Sequence, residues 1–493
     1  MFREEGNIQL SNIQRIEDMK PVEVFKYFKE ICSIPHGSGN VEKISNYIVD
    51  FAKANNLWCR QDESFNVVIK KAATRGMEDK APIIIQGHID MVAVKTADCN
   101  KDLESEGLEL ECADGYLYAK GTSLGADDGI AVAYAMAILA SDDIEHPELE
   151  VLFTTDEEIG MLGATAMDLS DIKSRVMLNI DSEEEGIFLA GCAGGVQATC
   201  RIPVDYEDVE GIVCEVSVLN LTGGHSGVEI ICQRANANVL LGRILYKVSK
   251  TLGYRLIDAN GGEKDNAIAV EATAKVVVEP ADAGKLAKMV EELSTAIKSE
   301  YETTDPNMVI DVKVGCQESV KAFSVSSTNH VVAALTGFPN GIQKMSNDIQ
   351  GLVQTSLNLG VLRTVEDEVT MSYSVRSAVG SEKEELVNRL QCLCESLGGR
   401  CDLSGDYPAW EYQRESRLRE VMVETYESLY GSKPDIQTIH AGLECGIIAD
   451  KLPGLDCISF GPDIKDIHTV KERLDIASTE RTWNLIVEVL KRI

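Results

Sequence analysis

Basic residues are scarce in this chain of 493 residues: 47 Lys and Arg stand against 80 Asp and Glu, a formal net charge of −33. A surface of that sign does not grip phosphate backbones, so nucleic acid is excluded as a partner. No apolar run is long enough to span a bilayer, and no membrane partner is expected. The opening MFREEGNIQLSNIQRIEDMK lacks the basic start and apolar core of a secretory signal. The 14 cysteines, scattered from Cys32 to Cys457, include no CxxC pair and no tight framework. Without a signal they read as reduced thiols of a cytoplasmic protein. Internal repeats and low-complexity tracts are also missing.

The length exceeds what one hydrophobic core usually organises, which predicts two domains. Four apolar runs, PIII (82–85), VLF (151–153), VMLNI (176–180) and CISF (457–460), each end at polar or acidic residues. Helix-like stretches such as GIAVAYAMAILA (129–140) and ERTWNLIVEVLKRI at the C-terminus alternate with them. That alternation predicts an α/β sheet with helices on its faces, whose ligands gather at the carboxyl ends of the strands. From about residue 195 the texture changes to strand-like VCEVSVLNL, AKVVVE and EVTMSYSVRSA mixed with helix-like KLAKMVEELSTAIKSEY and EKEELVNRLQCLCESLGG. An α+β domain at 195–396 is therefore expected as an insert between the two parts, 1–194 and 397–493, of the first domain.

Only seven histidines occur. His88 closes the apparent strand of QGHIDM, and Asp90, two residues on, would point the same way in an extended segment and could orient the imidazole. His468 lies in the loop FGPDIKDIHTVKERLD after another strand. Either alone reads more readily as a half-buried structural histidine than as a ligand. His146, before Pro147, reads as solvated, and His36 and His330 lie in turn-like sequence without an acidic neighbour. Glycines surround His225 (LTGGHSG) and His440 (IHAGLECG), so a backbone there can approach a ligand closely or simply turn.

Residues 154–160, TTDEEIG, crowd three carboxylates at a strand end, where mutual repulsion raises the cost of ionising them all. Asp127 and Asp128 in GADDG open a helix-like run, and Asp181 in NIDSEEEG ends another strand. Singly these are ordinary caps and turns. Together with two imidazoles they form a nitrogen and oxygen ligand set suited to divalent zinc, in which a shared carboxylate can hold two ions ~3.5–4 Å apart. Two dications would let the crowded acids stay ionised.

HxD, GADDG, DEE, NID and a late loop histidine, in that order, resemble the co-catalytic zinc peptidases, the family that includes carboxypeptidase G, aminoacylase, peptidase T and the bacterial dipeptidases. Chain length, the large insert and HAGLECG make the dipeptidases that cleave Xaa-His the most similar members. The resemblance implies an α/β/α catalytic domain with an inserted α+β, ferredoxin-like lid and dimerisation domain, a homodimer, a small peptide substrate and two Zn2+ per chain, with Co2+ or Mn2+ also acceptable to such ligands. Asp127 would bridge the ions and be followed by Asp128 across a cis peptide. His88 and Asp181 would complete one ligand set, and Glu158 and His468 the other. Asp90 would orient His88, and Glu157 would be the general base. His225, often supplied by the partner subunit in this family, would meet the oxyanion, while Asn266, Arg376 and Gly442 would hold the substrate. An aspartate at 181 is the choice of aminopeptidases and dipeptidases in the family. Other readings are a tripeptidase or N-acyl amino acid amidohydrolase on the same scaffold, and a non-catalytic binding protein, against which the intact ligand set and Glu157 argue.

Overall fold

The computed structural model describes residues 16–493; the first 15 residues of the opening stretch weighed above as a signal lie outside them. The chain forms two compact units. One runs to Gly191 and resumes at Tyr412–Gln437 and Leu443–Ile493; the other comprises Cys192–Glu411 and Thr438–Gly442.

The first unit is built on an eight-stranded sheet in the order Trp58–Gln61, Val67–Lys71, Leu149–Thr154, Ile83–His88, Val176–Asn179, Asp456–Ser459, Ile187–Cys192, Asp435–Ile439. Its centre is parallel: Ile83–His88 pairs in parallel with both Leu149–Thr154 and Val176–Asn179, and Asp456–Ser459 runs parallel to Val176–Asn179. Every residue of Ile83–His88 and Leu149–Thr154 is buried, because helices cover both faces of a parallel sheet and the strands become continuous apolar runs instead of alternating ones. The helix Ala126–Ala140 follows the same logic. From Gly129 on it is apolar all round and buried through Leu139, with Tyr134 stacked 6.1 Å from Trp483 of the C-terminal helix Ile476–Arg492. Each fully buried Ile, Leu or Val of this core contributes ~1.5–3 kcal/mol. Parallel direction has a second effect: the segments after His88, Thr154, Asn179 and Ser459 all leave the sheet at one edge.

The second unit is a nine-stranded sheet, whose pairings are antiparallel, with the helices Ala237–Ser249, Ala283–Glu300, Val325–Gly337 and Gly380–Ser396 contributing to one core. Cys214, Val216 and Val218 alternate into that core, as a strand with one packed face requires. This unit extends past the boundary expected at residue 396. Arg400–Tyr407 pairs with Gly194–Pro203 as an edge strand, and Ala193 donates to the carbonyls of Ile439 and Ala441.

Two histidines differ from their sequence readings. His146 is fully buried, its Nδ1 2.7 Å from the Pro147 carbonyl, because the loop folds back on Thr74. His330 is helical, in Val325–Gly337, a helix capped by the Ser324 hydroxyl. No disulfide joins any of the 14 cysteines, and no helix among the described residues is long and apolar enough to cross a membrane.

Candidate active site

The common edge of the parallel strands collects the acidic groups. His88, the last residue of its strand, is 1% exposed, and its Nδ1 lies 3.0 Å from the Asp90 carbonyl. A carbonyl only accepts, so the Nδ1 proton is committed and Nε2 of the neutral ring presents a lone pair. That Nε2 faces Asp127 Oδ1 at 3.1 Å and Asp181 Oδ1 at 3.5 Å. Across the same carboxylate, Asp127 Oδ2 lies 3.2 Å from His468 Nε2, which is 2.9 Å from Glu158 Oε1. Glu158 Oε1 is buried and has no hydrogen bond, despite that proximity. Lone pairs converging at 2.9 to 3.5 Å have the spacing of neighbouring ligands around a tetrahedral ion with bonds of ~2 Å. Three trios have their ligand atoms within 4.8 Å of one another: His88–Asp127–Asp181 and Asp127–Glu158–His468, which share Asp127 and so form a pair of adjacent sets, and His88–Glu157–Glu158, which draws its histidine from the first set and Glu158 from the second. The donor set fits a pair of dications.

The loop geometry follows from local chemistry. Gly125 has φ 66°, and a Cβ there would lie 2.6 Å from Met91 Sδ, so only glycine permits this entry to the helix. Asp127 and Asp128 depart from helical angles, and the peptide between them is cis. Asp90 does more than the sequence suggested. Its carbonyl orients His88, while its carboxylate, 3.5 Å from His88 Nδ1, accepts from the Ser38 hydroxyl (2.8 Å) and the Glu157 and Glu158 amides (3.1 and 3.4 Å). Asp90 therefore ties the imidazole to the DEE loop. Asp156, the first acid of that loop, turns away to accept from the Gly39 amide at 2.6 Å.

Electrostatics reflect the crowding. Burial opposes charge on His88, yet among protein groups alone Asp127, Asp181 and Asp90 outweigh it and hold its pKa well above the usual value, so Nε2 offers its lone pair once a cation takes the place of the proton. Burial likewise opposes ionisation of Asp127, but His468 and His88 hold it below the ordinary carboxylate range. The Asp127 carboxylate hydrogen-bonded to it and the Glu158 carboxylate beside it raise His468 to about 10. Among protein groups alone, burial beside Asp181, Glu444 and Glu158 pushes Glu157 up to about 9, against the opposing pull of His88. Such a carboxyl is matched to proton transfer once cations offset the surrounding negative charge.

Two buried acids escaped the sequence reading. Glu472, 3% exposed, accepts from the amides of Leu124 (2.8 Å), Gly125 (2.9 Å), Ala126 (2.8 Å) and Asp127 (3.4 Å), and so fixes the turn that presents the shared carboxylate. Its place in VKERLD, between Lys471 and Arg473, gave it the look of a solvated charge run. Glu444, fully buried, accepts from Gln86 Nε2 at 2.6 Å and Thr154 Oγ1 at 2.5 Å beneath the strand ends, and burial pushes it up to about 7. Glu472→Gln, which turns one of the two carboxylate oxygens into a donor against two of the four amides, is expected to weaken metal binding by ~10–100-fold and to lower Tm. Metal titration of the purified variant checks it.

The remaining residues named from the sequence lie in the second unit. His225 Nδ1 lies 3.3 Å from the amides of Gly227 and Val228, and accepting from them leaves the ring proton on Nε2. Burial and Arg376 lower its pKa, which keeps the ring neutral. Asn266 is exposed on a turn whose carbonyl accepts from Ser226 at 2.8 Å, beside His225. Arg376 is 8% exposed, and Gly442, partly exposed, ends the segment that carries His440.

A sheet edge holding two imidazoles and three carboxylates as two ligand sets, with a further glutamate beside them, defines a metal-dependent hydrolase. The family model "Peptidase family M20/M25/M40" matches residues 84–492. The chain belongs to this family of metallopeptidases. It is 35% identical over 483 residues, 98% of this chain and 99% of the other, to the Escherichia coli (strain K12) protein named cytosol non-specific dipeptidase. Its structure is similar to that of aminoacylhistidine dipeptidase from Vibrio alginolyticus, with TM-score 0.92 and 36% identity over 97% of this chain and 98% of that one. Aminopeptidase PepT from Bacillus cereus shares the fold, with TM-score 0.55 and 14% identity over 96% of this chain and 98% of that one.

Proposed function

We propose that the protein is a cytoplasmic dipeptidase with two zinc ions per chain that prefers Xaa-His dipeptides, carnosine-like β-Ala-His included. The observation that carries the dinuclear reading is Asp127, whose two oxygens each face a different histidine. Full-length likeness to two dipeptidases supports the substrate class, and the Vibrio alginolyticus relative supports the histidine preference.

His88, Asp127 and Asp181 would hold one ion, and Asp127, Glu158 and His468 the other. The bound pair supplies Lewis acidity toward the scissile carbonyl and lowers the pKa of a water. Glu157 takes the proton of the attacking water and returns it to the leaving amine, the two halves of general acid–base catalysis. Asp90 holds the Glu157 amide and the His88 ring in register. His225, with its proton on Nε2, donates to the oxyanion of the tetrahedral intermediate; loss of such a donor costs ~2.7–4 kcal/mol. Asn266 and Arg376 take the substrate carboxylate, Arg376 as a two-pronged donor, and Gly442 adds a backbone contact to the substrate. In this reading the second unit is the lid and the dimerisation domain of a homodimer, and His225 serves the partner's active site.

Purified protein is expected to carry about two metals per chain and to release histidine from β-Ala-His and Gly-His, with activity lost to chelator and restored by zinc. Metal without that cleavage would move the substrate to tripeptides, other dipeptides or N-acyl amino acids. Absence of bound metal after zinc loading would overturn the mechanism.

A further inference from the structure

One polar row crosses the sheet of the second unit. Ser356 pairs in register with Arg376, Arg376 with Gly195, and Gly195 with Tyr407, on four adjacent strands. Arg376 donates through Nη1 to the Tyr407 hydroxyl at 3.0 Å, reaching across the intervening strand. Gly195 makes that reach possible: a Cβ there would lie 2.4 Å from the Tyr407 hydroxyl oxygen and 2.6 Å from Cζ. On the other flank, Ser356 Oγ lies 2.7 Å from Nε2 of His440.

Arg376 is more than nine-tenths buried, its Nε has no hydrogen bond, and no carboxylate among the described residues pairs with it. A desolvated guanidinium without a counter-ion is unfavourable unless an anion arrives to pair with it. Every side chain that the row sets beside it is uncharged. Burial raises the Tyr407 phenol above its ordinary pKa and lowers His440 to about 3, so neither contributes charge near neutral pH. A glutamate in place of Tyr407 would fix the guanidinium equally well but would neutralise it. A phenol fixes it and leaves its charge for the ligand.

We propose that Tyr407, admitted by Gly195, is a positioning residue that holds the Arg376 guanidinium in one orientation to receive the C-terminal carboxylate of the substrate. The proposal rests on the reading of Arg376 as a carboxylate clamp. Pre-orientation removes the cost of ordering a long side chain on binding, so Tyr407 acts on substrate affinity and leaves the chemical step alone.

The test compares Gly-His with its C-terminal amide, as substrates or as competing inhibitors, on the zinc-loaded enzyme. Tyr407→Phe is expected to raise KM for the acid about tenfold, the effect of one lost hydrogen bond to a charged group, with kcat changed by less than about twofold. The amide, which offers no carboxylate, is expected to bind the variant and the parent alike. Gly195→Ala is expected to reproduce the shift by displacing the ring, and the double variant to be no worse than either single one. Equal shifts for acid and amide, or additive effects of the two substitutions, would overturn the proposal. Arg376→Ala separates the two layers. If it leaves discrimination between acid and amide intact, the clamp reading itself fails; if it abolishes discrimination while Tyr407→Phe does not touch it, only the positioning role fails.

Discussion

Glu157→Ala is expected to give a folded protein that binds its metals normally and turns over dipeptide ~10²–10⁴-fold more slowly, with KM little changed. Glu157 belongs to neither of the two ligand trios that share Asp127, so its removal leaves both ligand sets complete. Its backbone amide, and not its side chain, is what Asp90 holds, so the loop also survives the change. What disappears is the carboxylate that accepts the proton of the attacking water, and the surrounding groups offer no substitute, because Glu158 and Asp127 are committed to imidazoles. Single-turnover kinetics on metal-loaded protein measure the effect. Turnover like that of the parent would transfer the role of base elsewhere and sink the mechanism.

Asp127→Ala is expected to act earlier in the sequence of events. Each ligand set contributes two further side chains, His88 with Asp181 and Glu158 with His468, and deletion of the shared carboxylate leaves each with only those two. Metal content should fall from about two per chain to well below one, with no detectable hydrolysis even at saturating substrate. Elemental analysis after gel filtration gives the metal content. If Asp127→Ala retains both ions, Asp127 does not bridge.

Much of this centre was legible in the sequence for a physical reason. A parallel sheet sends its strand ends to one edge, so His88, Glu158 and Asp181, each close after an apolar run, and His468, in the loop after another, converge there by topology. The acid that organises them was not legible, because Glu472 acts through four backbone amides and no residue pattern encodes an amide cradle. The domain boundary was displaced for a related reason. The strand Arg400–Tyr407, RCDLSGDY, is exposed or half-exposed along its whole length, so it shows none of the alternation by which a half-buried strand is found, and the insert seemed to stop at the helix before it. His146 was misplaced because burial of a loop histidine depends on what folds over it, here a segment some seventy positions away in sequence.

The strand Asp456–Ser459 lies between Val176–Asn179 and Ile187–Cys192, two strands made long before it. On a ribosome, Ile187–Cys192 therefore has neither of its sheet neighbours while the second unit is synthesised, because Asp456–Ser459 and Asp435–Ile439 both follow that unit's main segment in the chain. The strand that joins it to the rest of the sheet emerges only with the last tenth of the chain, and His468 arrives with the loop that follows. The ligand set that includes His468 is thus complete only at the end of synthesis, and a chain truncated before that strand has neither a finished sheet nor both trios that share Asp127.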